Sequence, residues 1–226
     1  MRPFVFVNLA MSADGKLSTR ERRQVRISGE DDFLRVDQIK ADSDAIMVGI
    51  GTIFADNPSL TVKSEERKAA RRQEGKEENP VRIVIDSLGR IPLDAEILHK
   101  GPGQRIIAVS GRMDPGRQAE LQKYADVIVC GNDDRVHLTT LLNRLGERGI
   151  RRLMVEGGGT LIWGLFEEGL VDEIITCIGN VIIGGSDAPT PVDGPGFLKE
   201  SEFPALELIE SAPMDQGVVL RWKVKK

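Results

Sequence analysis

Cysteine is nearly missing from this chain of 226 residues: Cys130 and Cys177 are the two. No C-x-x-C pair occurs, and His99 and His137 stand singly in polar contexts, so no metal ligand set is expected. Each cysteine ends an apolar run, 127–130 and 174–177, which predicts small buried thiols in a reducing compartment. Aromatics are scarce, at 4% with one tyrosine, leaving few platforms on which bases could stack. Positive charge is not in excess, with 31 Lys and Arg against 35 Asp and Glu, which argues against a nucleic-acid partner. Apolar runs fall far short of membrane-spanning length, and the N-terminus has no signal-peptide core. The expectation is a cytoplasmic protein with no membrane association. No Walker A sequence and no Gly-x-Ser-x-Gly elbow appear, so P-loop NTPase and elbow-type hydrolase chemistry lose support.

Ordinary globular material fills the rest. Hydrophobic residues make up 40% and charged residues 29%, and the length suffices for a full core. Short apolar runs at 4–7, 45–48, 82–85, 105–109, 127–129, 153–155, 173–177, 181–183, 206–211 and 218–224 read as strands. Helical spacing occupies 33–41, 119–124, 138–148 and 160–169. In the first of these, Phe33, Leu34, Val36 and Ile39 form the expected apolar face. Strands alternating with helices predict an α/β fold with a mostly parallel sheet and antiparallel C-terminal strands. Residues 1–226 read as a single domain. The mixed charges of 63–79, without an apolar face, suggest a solvated loop or surface helix.

Chemistry concentrates in turns that follow strands, the edge where parallel sheets bind ligands. The strongest is Glu156-Gly157-Gly158-Gly159-Thr160-Leu161. An apolar run precedes it and a helix pattern follows. A glycine turn opening a helix presents free N–H groups suited to a phosphate. Further turns are Asn8 to Lys16, Gly49 to Pro58 and Asp86 to Arg90. The Gly49-x-Gly51 pair lacks the rest of a dinucleotide fingerprint, and each weaker turn alone also fits a plain loop. Arg90 could clamp a phosphate, because its fork matches the oxygens. Glu156 beside three glycines suits either a ligand-orienting or a structural role. The loop 183–197 is a plain structural segment by default, a site cover or oligomer contact otherwise.

Together the stretches NLAMSADGK (8–16), DAIMVGIGTIFADNPSLTV (44–62), VRIVIDSLGRIPL (81–93), EGGGTLIWGLFEEGLVDE (156–173) and GGSDAPTPVDGPGF (184–197) resemble the riboflavin-pathway reductases. These are related to the reductase domain of bacterial bifunctional deaminase-reductases. The resemblance implies a dihydrofolate-reductase-like fold, a homodimer, and NADPH as hydride donor, with NADH as the alternative. Asn8, where many bacterial members carry Lys, and the missing zinc deaminase pattern point to the archaeal and fungal branch. That branch reduces 2,5-diamino-6-ribosylamino-4(3H)-pyrimidinone 5′-phosphate before deamination. The resemblance further implies that Gly51, Thr52 and Asp56 contact the cofactor, that Gly157, Gly158, Gly159 and Thr160 hold its pyrophosphate, and that Ser87 and Arg90 face its 2′-phosphate. Asn8, Asp14, Ser28 and Glu156 would face the pyrimidine and sugar. Arg26 or Arg35 would meet the substrate phosphate, on charge and position. The proton donor is left between Glu156, Asp14 and water. Alternatives are a reductase of the deaminated pyrimidine or of dihydrofolate, and a nucleotide-binding module without catalysis.

Overall fold

The computed structural model describes residues 1–23 and 25–226. In chain order the first half holds β1 (Phe4–Met11), α1 (Glu30–Ala41), β2 (Ala45–Gly49), α2 (Ile50–Asp56), α3 (Glu65–Gln73), β3 (Val81–Ile85), α4 (Glu96–His99) and β4 (Arg105–Val109). The second half holds α5 (Pro115–Leu121), β5 (Asp126–Val129), α6 (Leu138–Glu147), β6 (Arg152–Gly157), α7 (Gly159–Glu167), β7 (Glu173–Ile178), β8 (Leu206–Met214) and β9 (Gly217–Val224). This is an α/β fold with mostly parallel strand pairs, flanking helices and antiparallel C-terminal strands. Contacts divide the chain into two compact units: Met1–Pro3 with Val36–Met154, and Phe4–Arg35 with Val155–Lys226.

In the first unit, strands run in the order β5-β4-β3-β2, parallel throughout. Their near-continuous Val and Ile content is what two-sided burial demands. Ile46, Met47, Ile83, Ile106 and Ile107 are at most 1% exposed, and Leu141, Leu142 and Leu145 of α6 are fully buried. Each such side chain contributes roughly 1.5–3 kcal/mol relative to exposure. The guanidinium of buried Arg82 donates to the carbonyls of Lys100 (2.6 Å) and Pro102 (2.9 Å), holding the β3–β4 connection.

In the second unit, β1 and β7 are parallel, β7 and β9 antiparallel, and β9 and β8 antiparallel with an irregularity between Leu208 and Glu210. The outermost strand, β8, leaves Leu206, Leu208 and Ile209 exposed.

Several elements depart from expectation. Residues 181–183 are not a strand. Their backbone instead serves the turn after β1: Ala13 N donates to Val181 O at 2.9 Å, and Ile183 and Gly184 donate to Asp14. In α1 the expected apolar face is only partly covered, with Val36 and Ile39 half-buried. Phe33 and Leu34 are exposed, while Asp32 and Asp37 are buried. Asp37 offsets its burial by accepting Lys63 N (2.6 Å), Ser64 N (3.1 Å) and Arg67 Nη1 (2.8 Å), which satisfies the charge. The glycine turn after β2 is the start of helix α2. The charged run forms α3, capped by Ser64 Oγ. Arg71 on it is buried against the carbonyls of Glu77, Ala41 and Ser43.

Candidate functional site

In the second unit, β1 delivers Asn8, which is 4% exposed. Arg35 Nη1 donates to Asn8 Oδ1 at 3.0 Å, and Arg35 Nε donates to buried Asp32 at 2.8 Å. Arg35 is thus committed within the protein. Arg26 is exposed, with its guanidinium 5.6 Å from the Phe33 ring centroid. Ser28 is half-buried and its carbonyl accepts Arg26 Nε at 3.4 Å. The amides that open α1 are capped by Asp215, which accepts from Gly29 (3.0 Å), Asp31 (3.1 Å) and Asp32 (3.1 Å).

The turn after β1 is built around Asp14. Its carboxylate accepts Ser12 Oγ (2.6 Å), Ile183 N (3.0 Å) and Gly184 N (2.7 Å). The Ser12 hydroxyl first, then the two amides, lower its pKa to about 2. An ionised carboxylate with both oxygens engaged fixes two chain segments and has no proton to lend at neutral pH. Because the folded value lies below the ordinary 3.8, the clamp contributes stability above the unfolded pKa and loses it as pH falls through about 2. Asp14→Asn is therefore expected to flatten the acid limb of Tm against pH between about 4 and 2. Profiles that fall in parallel would deny the clamp its pH dependence.

The loop that follows β7 connects this turn to the glycine turn. Leu17 N donates to Pro189 O at 2.8 Å, and Asp193 N donates to Gly159 O at 3.1 Å. A Cβ on Gly159 would meet Thr190 O at 2.6 Å, so this glycine permits close packing of the loop. Gly157 has φ 133°, in the range that favours glycine. Gly158 is different. At φ −90° and ψ 178° it is extended backbone that any residue adopts. The Gly157–Gly158 peptide is cis. α7 starts at Gly159 without a side-chain cap, so its N-cap residue takes none of the first-turn amides. Glu156 is half-buried at the end of β6, just ahead of them.

In the first unit, Gly51 and Thr52 lie in the first turn of α2. Gly51 opens onto free space: a methyl group in place of its hydrogen would meet nothing within 4 Å. Asp56 ends this helix with an exposed surface, yet partial desolvation of its carboxyl raises its pKa. Since β2 and β3 are parallel, the turn 86–90 leaves from the same edge as α2. Ser87 Oγ accepts Val136 N at 3.1 Å, which leaves its own proton to donate. Arg90 is largely exposed, 6.0 Å over the exposed Phe54 ring, with Nε 3.5 Å from fully buried Asp86. Sequence reasoning missed Lys63. Its ammonium is held by Thr61 Oγ1 (2.9 Å) and Ser59 Oγ (3.1 Å). Burial, then Lys100 and Lys40, lower its pKa. Glu96 and Asp37 act in the opposite sense, so Lys63 sits among charges of both signs. The signal lay at the start of the charged run, read there as solvated surface.

Both thiols are buried, Cys130 at 0% and Cys177 at 1%. Burial first, then Asp32, pushes Cys177 to about 12, so it is an inert thiol. Among the described residues no cluster of His, Cys, Asp or Glu could hold a metal ion. Among them, too, no helix is long and apolar enough to cross a membrane.

A parallel-strand α/β fold whose strand-end turns carry glycines and fixed polar groups is the class that binds nucleotides and nucleotide cofactors. The sequence profile of the RibD C-terminal domain matches residues 3–220, and the chain belongs to that family. A relative from Archaeoglobus fulgidus, named 2,5-diamino-6-ribosylamino-4(3H)-pyrimidinone 5′-phosphate reductase, is 51% identical over 92% of this chain and 94% of its own. A protein of the same name from Methanothermobacter thermautotrophicus is 43% identical over all of both chains. The solved structure of Acinetobacter baumannii RibD superposes with a TM-score of 0.81 at 26% identity, over 100% of this chain and 59% of that one. This chain therefore spans just over half the length of that RibD. A riboflavin biosynthesis reductase of Saccharomyces cerevisiae shares the fold, with a TM-score of 0.70 at 23% identity, over 99% of this chain and 90% of that one.

Proposed function

We propose that this protein is an NADPH-dependent reductase that converts the ribosylamino group of 2,5-diamino-6-ribosylamino-4(3H)-pyrimidinone 5′-phosphate to the ribitylamino group. The observation that carries the reading is the 51% identity to a relative of that name over nearly the whole of both chains. The residues present fit the cofactor. An uncapped helix start after a glycine turn suits a pyrophosphate, Gly51 leaves room for close approach, and exposed Arg90 suits a 2′-phosphate. NADPH held there would supply the hydride for C1′ of the opened ribosylamine, with one proton needed at the nitrogen.

The protein's own work is positioning and exclusion of water. Gly157, Gly158, Gly159 and Thr160 hold the pyrophosphate. Gly51, Thr52 and Asp56 contact the cofactor, and Ser87 and Arg90 its 2′-phosphate. Asn8, Ser28 and Glu156 face the pyrimidine and sugar. Asp14 fixes the turn that follows β1. Of Arg26 and Arg35, exposed Arg26 takes the substrate phosphate, because Arg35 already donates to Asp32 and Asn8.

The test is an anaerobic assay following NADPH absorbance with the diamino nucleotide, its deaminated counterpart and dihydrofolate in parallel. Preferred turnover of the diamino nucleotide supports the reading. Preference for either other substrate moves the enzyme elsewhere in its class. Tight NADPH binding with no turnover of any would make it a binding module.

The homodimer is proposed through β8, whose exposed Leu206, Leu208 and Ile209 line an outer strand that a monomer would leave open to unwanted pairing. Ile209→Lys is expected to shift the solution mass from dimer to monomer in light scattering. A wild-type monomer would remove the proposal.

A further inference from the structure

We propose that Asp32 and Arg35 are a positioning pair that locks the Asn8 amide with its nitrogen turned to the ligand. They make Asn8 a fixed donor for an acceptor oxygen, such as the ring oxo group of a pyrimidinone. The proposal rests on the reading that Asn8 faces the substrate, and it lies wholly within the second unit.

The argument starts from what a guanidinium can do. Arginine carries five N–H donors and no acceptor. The Asn8 atom 3.0 Å from Arg35 Nη1 must therefore be the oxygen. A flipped amide would set N–H against N–H, so the orientation is settled by chemistry. The amide nitrogen then points away from Arg35. At 4% exposure on β1, Asn8 has little room to turn.

Arg35 is itself held. Its Nε donates to Asp32 Oδ1 at 2.8 Å. Its Nη2 lies 2.7 Å from the same oxygen as an ion pair, out of line for a hydrogen bond. Asp32 is 2% exposed, and its backbone N is anchored to Asp215 Oδ2 at 3.1 Å. The Cys177 thiol lies beside Asp32 as well. The chain of fixation runs from the β8–β9 turn through the α1 start to Asp32, then to Arg35 and Asn8. A carboxylate this buried is costly unless paired. Its pairing here sets a neutral side chain, which is how supporting residues confer precision on a site.

Kinetics of the full-length protein with the diamino nucleotide decide it, in a double-mutant cycle of Asn8→Ala and Arg35→Gln. Arg35→Gln is expected to lower kcat/KM for the nucleotide by about ten- to a hundredfold, the scale of a misplaced positioning group. The KM for NADPH should stay unchanged. Asn8→Ala should show a loss of similar size, and the double variant should lose no more than either single change. Arg35→Lys, which keeps the charge but loses the planar fork, should share the loss; it replaces Arg35→Gln if that variant does not fold. Losses that multiply in the double variant would give Arg35 its own contact with substrate and overturn the pair. Wild-type kinetics in both Arg35 variants, with Asn8→Ala impaired, would also overturn it. Wild-type kinetics in Asn8→Ala would instead sink the placement of Asn8 at the substrate.

Discussion

Gly158→Val is expected to raise the Kd for NADPH by at least about a hundredfold, which corresponds to about 2.8 kcal/mol, in a protein that still folds. The three glycines of the turn have different physical duties. Gly157 takes a positive φ of 133°. Gly159 has no room for a methyl group, since Thr190 O would lie 2.6 Å from it. Substitution at either would disturb the protein itself. Gly158 lies outside the left-handed region, with φ −90° and ψ 178°. A valine there is expected to put a branched side chain beside the start of α7, which follows at Gly159. A pyrophosphate seated on the first amides of that helix would collide with it. Calorimetric titration with NADPH, paired with a thermal melt, separates loss of binding from loss of fold. A folded variant with wild-type affinity would move the pyrophosphate out of this turn.

The same three glycines show where sequence reasoning reached and where it stopped. The strand–turn–helix context was legible because Leu153, Met154 and Val155 form a fully buried run and the α7 pattern follows at helical spacing. Parallel strands were legible for the same reason: apolar residues on both faces of β2, β3 and β4 leave little else. The partition of duties among the glycines was not legible, because Gly159 answers to Thr190 and Asp193, far along the chain. The resemblance puts Asp14 at the pyrimidine and sugar, and its bonds to the amides of Ile183 and Gly184, far along the chain, are not legible locally. Those same bonds turned an apolar triplet at 181–183 into a loop. Helix α1 was half misread, at Phe33 and Leu34, since periodicity assumes that carboxylates face water. Asp32 and Asp37 are buried because Arg35, Arg67 and two backbone amides come to meet them. Lys63 read as part of a solvated run, and its bonds to Ser59 and Thr61 depend on a turn that periodicity does not show. Local rules thus recovered elements and turns. Pairings set by tertiary structure decided which polar residues in them have work to do.

Glu156→Gln is expected to leave NADPH binding within about threefold of wild type and to lower kcat for the pyrimidine nucleotide by about 10²–10⁴-fold, the range of a lost acid–base group. Glu156 is the penultimate residue of β6, half-buried, while α7 begins three residues later. A side chain there lies next to the proposed pyrophosphate amides yet adds nothing to them, since a carboxylate repels phosphate. The role expected of it is therefore toward the other reactant. Reduction at C1′ leaves a nitrogen that needs a proton, and opening of the ribosylamine needs proton movement at the ring oxygen. Asp14 is unsuited to either, because its pKa of about 2 keeps it ionised and both its oxygens serve the clamp. Glutamine matches glutamate in shape but carries no exchangeable acid, so the substitution removes proton transfer and retains the volume. The decisive comparison is kcat against the NADPH Kd in one preparation. A fall in kcat with an unmoved Kd places Glu156 at the substrate. A matched loss of both would give it to the cofactor turn, and normal kinetics would leave the proton to water.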